Sequence, residues 1–279
     1  MTVINIIMPI DNPMPPIQNY PLYIYRVLMK WLSYFVFGLG TLILVTALFP
    51  VLTLCIHPKE RFQKVTRRLI SVSFRSFIWF MTCIGIVVFD PGDRDNFRKL
   101  KSAIVVANHP SHLDVVMLIS LISNADVIVR GNLANNFVMR GVIRKLYILN
   151  SLDFDTMVNA CKDSLARGNC IIIFPEGTRT PRAGIIRLKK GAARLSLLTG
   201  APVIPVLIGG TDKYGLGKHD PATAFNHTEK YIYKLRIQAP LYPHTWTEME
   251  MPKAVRRFNA QIYAALQPAL GFRENLCGS

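Results

Sequence analysis

The chain of 279 residues is long enough for one domain of substantial size together with a membrane element. Its residues are 51% hydrophobic and only 18% charged, more apolar than an average soluble protein, and the formal net charge is +16. No groove-reading motif or zinc knuckle accompanies this charge, which argues against nucleic acid as a partner and favours an anionic membrane surface and phosphorylated substrates.

The first part of the chain carries the membrane signal. Residues 1–22 hold five prolines and are predicted to be irregular, and they lack the basic region and early apolar core of an ordinary signal peptide. Residues 31–56 then form an uncharged, largely apolar run. As a helix this run would span about 39 Å at ~1.5 Å per residue, enough for a ~30 Å hydrocarbon core. We therefore predict a transmembrane helix at 31–56.

The flanks of this run predict its orientation. Arg26, Lys30 and Trp31 are expected to anchor one end at the lipid headgroups. Five basic residues and one acidic residue follow the run between positions 59 and 68, and the heavier basic flank belongs on the cytoplasmic side. The sequence thus predicts a protein of the cell's inner (cytoplasmic) membrane, with its larger domain on the cytoplasmic side.

A second apolar stretch covers residues 69–89, but Arg75 interrupts it. A full crossing would bury that charge, so we predict an interfacial or re-entrant helix packed beside the first, with a second span as the alternative. A turn signal, Pro91-Gly92-Asp93, marks the boundary that follows. The predicted organisation is an N-terminal membrane-anchoring region at 1–89 and a second domain at 90–279.

Strands and helices alternate in the second domain. Apolar runs bounded by turn residues predict strands near 103–107, 126–130, 146–150, 170–174, 203–208 and 231–238. Apolar residues at helical spacing predict helices near 112–122, 137–145, 155–167, 187–199 and 252–267. Such alternation is typical of an α/β fold in which helices flank a mostly parallel, buried sheet.

The first predicted strand of this domain ends in a polar turn, Asn108-His109-Pro110-Ser111-His112-Leu113-Asp114. α/β proteins place ligands at such strand-to-helix junctions. Asp114 is placed to accept a hydrogen bond from one imidazole nitrogen of His109 and to leave the other as a base. Two other interpretations stay open. Ser111 and Asp114 fit a helix capping box, and His109, His112 and Asp114 fit part of a zinc site, although the other histidines show no matching ligand pattern.

A second polar turn follows the strand near 170–174 and reads Pro175-Glu176-Gly177-Thr178-Arg179. Gly177 permits a sharp turn and a close approach of the backbone to a ligand, and Arg179 offers a planar fork of donors suited to phosphate. A surface turn with an internal ion pair between Glu176 and Arg179 is the alternative. Two polar turns that each follow a core strand argue against a coincidence of surface turns.

Together the two motifs resemble those of a known enzyme family. Asn108-His109-x4-Asp114, followed by Phe174-Pro175-Glu176-Gly177-Thr178-Arg179, is similar to the PlsC-type family of glycerol-phosphate and lysophospholipid acyltransferases, which includes 1-acyl-sn-glycerol-3-phosphate acyltransferases. The segment Lys189-Lys190-Gly191 resembles the basic helix start that follows the second motif in this family.

The resemblance implies a membrane-bound O-acyltransferase that moves a fatty acyl group from acyl-CoA or acyl carrier protein to a hydroxyl of a lysophospholipid such as lysophosphatidate. His109 would act as the general base and Asp114 as its orienting partner, without a metal or a cofactor other than the acyl thioester. Backbone amides near Ser111 are candidates for holding the oxyanion. The residues implied in binding the acceptor are Glu176, Gly177, Thr178, Arg179 and Lys189, with Arg130 as a further candidate.

One segment departs from the family pattern. Asn150 stands about where many members carry an arginine that helps bind the phosphate of the acceptor. Similar variant sequences belong to acyltransferases of bacterial lipid and aryl-polyene pathways, so an acceptor or acyl group of a specialised lipid, of the aryl-polyene or aminolipid type, is an alternative. A non-catalytic, membrane-docked lipid-binding protein is a second alternative, and the presence of both His109 and Asp114 argues against it.

Overall fold

The computed structural model describes residues 14–129, 148–149, 153–180, 187–246 and 248–269. Arg130, Asn150 and the helix predicted at 137–145 lie outside the described residues. The described helices are α1 (Tyr20–Ile43), α2 (Phe49–Cys55), α3 (Lys59–Cys83), α4 (Arg94–Lys99), α5 (Asp114–Leu121), α6 (Phe154–Ala166), α7 (Gly191–Thr199) and α8 (Met251–Leu266). The described strands are β1 (Val87–Asp90), β2 (Ile104–Ala107), β3 (Ala125–Val129), β4 (Ile148–Leu149), β5 (Cys170–Ile173), β6 (Val203–Gly210) and β7 (Tyr231–Ile237).

The described strands form one sheet in the order β1-β7-β6-β2-β5-β3-β4. Its neighbouring strands are parallel except for the antiparallel pair of β6 and β7, which confirms the α/β fold with a mostly parallel sheet. In the central parallel pair, Val105 of β2 lies opposite Ile172 of β5. The carboxyl ends of these two strands therefore lie side by side, and the two polar turns meet at one edge of the sheet.

Helices cover both faces of the sheet. On one face, α1, α3 and α5 pack against strand residues such as Val105 and Ile172. On the other face, α6, α7 and α8 pack against the adjacent strand residues Val106 and Ile171. Because successive side chains of a strand point to opposite faces, each buried strand contributes to both cores. The apolar N-terminal helices α1 and α3 therefore lie in one layer, and the amphipathic C-terminal helix α8 lies in the opposite layer.

The apolar N-terminal helix is longer than the sequence predicted. A π-helical turn at Leu44–Leu48 joins α1 to α2, and the run Tyr20–Cys55 is long and apolar enough to cross a membrane, with 6% of its most apolar window buried. It begins at residue 20 rather than 31 because the Asn19 side chain accepts the Leu22 N–H at 3.0 Å and Pro21 suits a first helical turn. The prediction of irregular structure was therefore wrong for residues 20–22.

The second apolar helix also differs from its predicted bounds of 69–89. α3 begins at Lys59 and ends at Cys83, and Gly85, with a φ of 73°, turns the chain towards β1. β1 pairs in parallel with β7. Residues 87–89 therefore belong to the sheet, which begins three residues before the boundary predicted at residue 90. Local apolar content did not distinguish the end of α3 from a strand.

Two buried basic residues fasten the N-terminal helices to the sheet domain. Lys30 of α1 is 2% exposed, and its ammonium group donates to the carbonyls of Gly215 and Ala224. It is therefore not the headgroup anchor that its sequence position predicted. Arg67 of α3 forms a two-pronged ion pair with the buried Asp126 of β3, with N–O distances of 2.6 and 3.0 Å. Both contacts fix a helix of the apolar layer against a loop or strand far away in sequence.

Candidate active site

The first polar turn begins at a residue that ties β2 to β6. The buried Asn108 donates from its amide to the Ile208 carbonyl at 2.8 Å and accepts the Ile208 N–H at 2.7 Å. This reciprocal pair continues the contact between the two strands beyond the last residue of β2. It fixes the point from which the chain turns towards α5.

His109 and Asp114 are in direct contact within this turn. Nδ1 of His109 lies 2.9 Å from Oδ2 of Asp114, whose side chain is fully buried, whereas the His109 side chain keeps 16% exposure. Because a carboxylate only accepts hydrogen bonds, Nδ1 carries the proton and Nε2 is the basic nitrogen. The imidazole ring stacks on Phe174 at the end of β5, with ring centroids 4.1 Å apart. The arrangement is that of an oriented general base.

Asp114 also organises the start of α5. Its Oδ2 accepts the Ser111 N–H at 2.8 Å, and its Oδ1 accepts the Ser111 hydroxyl at 2.7 Å. The Ser111 oxygen in turn accepts the Leu113 N–H at 3.2 Å. The bond from the Ser111 N–H to Asp114 is the carboxylate half of a capping box, but the Ser111 oxygen accepts from Leu113 and not from Asp114, so the full box is not formed. Since the Ser111 amide is engaged by Asp114, it is not a candidate for holding an oxyanion.

Side chains of the second polar turn hold the main chain of the first polar turn. The His109 N–H donates to Oε1 of Glu176 at 3.1 Å and to Oγ1 of Thr180 at 2.9 Å. Thr180 donates its hydroxyl to Glu176 at 2.6 Å and its N–H to the His109 carbonyl at 2.7 Å. The resemblance implied that Glu176 binds the acceptor, but its buried carboxylate is directed at the backbone of His109. Thr180, which the sequence analysis did not single out, completes this clamp.

The rest of the second turn comprises Gly177, Thr178 and Arg179, of which Gly177 lies against a basic side chain. Gly177 has a φ of 66°, and a Cβ there would lie 2.8 Å from both Cε and Nζ of Lys189, so Lys189 lies directly against the turn. Arg179 is half-buried and donates to the Gly217 carbonyl at 2.6 Å. Thr178 is exposed. This turn is the one clamped to the first motif, so these predicted acceptor-binding residues share one site with the dyad.

A cavity of about 240 Å³ lies beside the first turn, between α1, α3 and the sheet. Its walls are mainly apolar and include Phe37, Phe77 and Val116. His112 also lines it: Nδ1 donates to the Leu216 carbonyl at 3.1 Å, so the buried Nε2 is unprotonated and has no hydrogen-bond partner among the described residues. Burial lowers the pKa of the His112 imidazole and keeps it neutral.

The zinc interpretation finds no geometric support in the described residues. His109 directs Nδ1 to Asp114, and His112 directs Nδ1 to a backbone carbonyl. Among the described residues, no group of three or more His, Cys, Asp or Glu side chains is placed to hold a metal ion.

The comparisons with known proteins match the part of the chain that carries the two motifs. Residues 89–209 match the family model named Acyltransferase. Over 143 residues the chain is 31% identical to the chloroplastic 1-acyl-sn-glycerol-3-phosphate acyltransferase BAT2 of Brassica napus, a match covering 47% of this chain and 40% of the relative. Over 131 residues it is 28% identical to the 1-acyl-sn-glycerol-3-phosphate acyltransferase of Salmonella typhimurium, covering 43% of this chain and 51% of the relative. The matches thus span about half or less of these relatives.

The fold has a solved counterpart. The crystal structure of the 1-acyl-sn-glycerophosphate (LPA) acyltransferase PlsC from Thermotoga maritima superposes with a TM-score of 0.65, over 87% of this chain and 95% of that chain, at 20% identity. Residues 89–209 are thus similar to an acyltransferase domain, and the fold of the chain resembles that of PlsC. The superposition covers more of the chain than the matched residues 89–209 and shows that the fold is shared over most of the chain.

The first turn also contacts a residue that no local pattern marked. The hydroxyl of Tyr233 on β7 lies 2.7 Å from Oγ of Ser111, although the two residues are 122 positions apart. In the sequence Tyr233 is one apolar position of an alternating strand and fits an ordinary core residue. Thr180, by contrast, directly follows the second motif. A hydroxyl residue in the turn after a strand is a pattern that is visible in the sequence.

Proposed function

We propose that the protein is a membrane-bound O-acyltransferase that moves a fatty acyl group from acyl-CoA or acyl carrier protein to a hydroxyl of a lysophospholipid such as lysophosphatidate. The observation that carries this proposal is the 2.9 Å contact between Nδ1 of His109 and the buried Asp114, in a turn clamped to the second motif. The relatives that are named as 1-acyl-sn-glycerol-3-phosphate acyltransferases support lysophosphatidate as the acceptor.

The chemistry follows from the orientation of the imidazole. Nε2 of His109 removes the proton of the acceptor hydroxyl as its oxygen attacks the carbonyl carbon of the thioester. When the tetrahedral intermediate collapses, the carbon–sulfur bond breaks and the proton passes from Nε2 to the departing thiolate. Asp114 stays ionised and stabilises the transient imidazolium. General-base assistance of this kind contributes roughly 10²–10⁴ in rate, or ~3–5 kcal/mol of barrier.

Two cations beside the dyad fit the anionic group of such an acceptor. Lys189 lies against Gly177. Arg179 is held by the Gly217 carbonyl and presents a guanidinium group of fixed orientation. A phosphate bound at the second turn would lie next to the first turn, to whose main chain the second turn is hydrogen-bonded. The positive φ of Gly177 lets the backbone turn without a side chain between the phosphate and Lys189.

The exposed apolar surface supports a lipid acceptor taken from a membrane. In the described residues, every exposed large apolar side chain except Tyr242 and Met251 lies between Tyr20 and Trp79. Surfaces of this kind mark membrane or protein contacts. α1 also reaches the first turn, because the rings of Tyr34 and His112 are 5.6 Å apart. The basic flank after α2 supports placement of the acyltransferase domain on the cytoplasmic side of the inner membrane.

The cavity beside His112 suits the acyl chain of the donor. It is mainly apolar, and it adjoins Leu113 of the catalytic turn. A mainly apolar recess of this size can hold an alkyl chain. An acyl chain bound there would bring its thioester to the turn that carries His109.

Thiol release by purified protein in phospholipid vesicles tests the proposal. The assay offers palmitoyl-CoA and palmitoyl acyl carrier protein separately, each with and without lysophosphatidate. We expect release that depends on lysophosphatidate with at least one donor, and a loss of roughly 10²–10⁴ in His109→Ala. The matched control is His57→Ala, because His57 is exposed at the joint between α2 and α3 and outside the site.

The outcomes separate the candidate functions. Activity that survives His109→Ala would reject the general-base role. No release with either donor, from protein that unfolds cooperatively, would reject lysophosphatidate as the acceptor and direct the assay to specialised lipids. If the specialised lipids are not acylated either and the protein still binds lipid vesicles, it would be a non-catalytic lipid-binding protein.

A further inference from the structure

A buried tyrosine is connected to the dyad through one serine. Tyr233 is fully buried on β7, and its hydroxyl oxygen lies 2.7 Å from Oγ of Ser111. The same Oγ lies 2.7 Å from Oδ1 of Asp114. Oδ2 of Asp114 faces the imidazole of His109 at 2.9 Å. The four side chains thus form a continuous line of hydrogen bonds from β7 to the base.

The direction of these bonds follows from the available protons. A carboxylate only accepts, so the single hydroxyl proton of Ser111 points to Asp114, and its oxygen accepts from Tyr233. Burial raises the pKa of the Tyr233 hydroxyl well above its usual value, and the charge of Asp114 raises it further. Tyr233 therefore keeps its proton and acts as a donor, and the line has one polarity from tyrosine to carboxylate.

We propose that Tyr233 is a positioning residue that tunes the His109–Asp114 dyad by polarising the Ser111 hydroxyl against Asp114. The inference rests on the proposed general-base role of His109. A hydroxyl that accepts a hydrogen bond becomes a stronger donor, by about 10–30%. A carboxylate that receives stronger hydrogen bonds attracts the protonated imidazole less. Loss of the Tyr233 hydroxyl should therefore strengthen the hold of Asp114 on the protonated imidazole.

Other charged and titratable groups surround this line. Those facing it from β7, α1, the loop after β6 and the two turns are Tyr231, Tyr34, Lys213, His112, Glu176 and Arg179. The Nζ of Lys213 lies 4.4 Å from the centre of the Tyr233 ring. A Tyr233→Phe substitution keeps the ring and all these groups and removes only the hydroxyl, so it isolates the hydrogen bond to Ser111.

The test is the pH dependence of kcat/KM, whose acid limb reports the essential base of the free enzyme. We expect the midpoint of that limb to move to higher pH, by about 0.3 unit in Tyr233→Phe and about 1 unit in Ser111→Ala. Because Tyr233 acts through Ser111, Tyr233→Phe should add no further shift in a Ser111→Ala background. The matched control is Tyr231→Phe, which removes a buried hydroxyl on the same strand that donates to the Tyr214 carbonyl at 2.7 Å, and it should leave the midpoint in place.

A second readout separates this inference from the proposed function. In protein with ¹³C-labelled histidine rings, the His109 signal is identified by its loss in His109→Ala and titrated in each variant. A higher midpoint in Tyr233→Phe, but not in Tyr231→Phe, supports the inference even if no acyl transfer is found. Equal midpoints in wild type and Tyr233→Phe overturn it, as does an additive shift in the double variant, while activity abolished by His109→Ala would leave the proposed function intact.

Discussion

The carboxylate of Glu176 accepts a hydrogen bond from the backbone nitrogen of His109 at a distance of 3.1 Å. A side chain of the second motif therefore holds the main chain of the first motif. The hydroxyl of Thr180 bridges the same two residues. The proposed base is thus fixed from two sides, by Asp114 at its ring and by the second turn at its backbone.

This clamp predicts a specific kinetic effect for Glu176→Ala. Loss of the clamp shifts the catalytic turn, and misplacement of a reacting group by about 1 Å costs up to ~10² in rate. We expect kcat to fall by roughly 10–100-fold, with little change in KM for lysophosphatidate. Glu176→Gln keeps an acceptor oxygen and should retain more activity than Glu176→Ala. A large rise in KM at constant kcat would instead assign Glu176 to the acceptor.

Lys30 is predicted to stabilise the docking of α1. Lys30→Met leaves the Gly215 and Ala224 carbonyls without this donor. Hydrogen bonds to charged groups contribute ~1.5–3 kcal/mol, so the melting temperature in detergent should fall by several degrees. The exposed Lys64→Met on α3 is the control and should change it little. Equal melting temperatures for the two variants would show that these hydrogen bonds do not stabilise the docking of α1.

His112 makes stability depend on pH. Burial lowers the pKa of His112 in the folded protein. Below about pH 6.5 the imidazole is therefore protonated in the unfolded chain while it stays neutral in the folded protein. Its contribution is therefore fully present above the unfolded pKa and is lost as the pH falls below it. Relative to His112→Gln, wild type should lose melting temperature between pH 7 and pH 5. Parallel curves for the two proteins would show that His112 does not couple folding to protonation.

The cavity predicts how acyl-chain preference changes. Val116 lines it on α5, and Val116→Phe fills part of its volume. We expect activity with palmitoyl-CoA to fall by tenfold or more relative to octanoyl-CoA, because only the longer chain needs the whole cavity. Octanoyl-CoA serves as the internal control for folding and for the dyad. An equal loss with both donors would place the acyl chain elsewhere.

Much of this site was predictable because it is encoded locally. Asn108, His109 and Asp114 follow a buried strand, and the Pro/Gly turn at Glu176–Arg179 follows another. Parallel strands bring such turns to one edge of a sheet whatever the intervening chain does. The same local patterns marked the α/β alternation and the apolar N-terminal helix, whose start was misplaced only where Asn19 and Pro21 extend it by capping.

The partners of these residues depended on the tertiary structure. Ser111 and Tyr233 are 122 positions apart, and Lys30 and Ala224 are 194 positions apart. In the sequence a tyrosine in an alternating strand and a lysine beside an apolar helix have ordinary explanations as a core residue and a headgroup anchor. The order of the strands and the docking of α1 decided otherwise, because a buried hydroxyl or ammonium must find a hydrogen-bond partner wherever the fold places it.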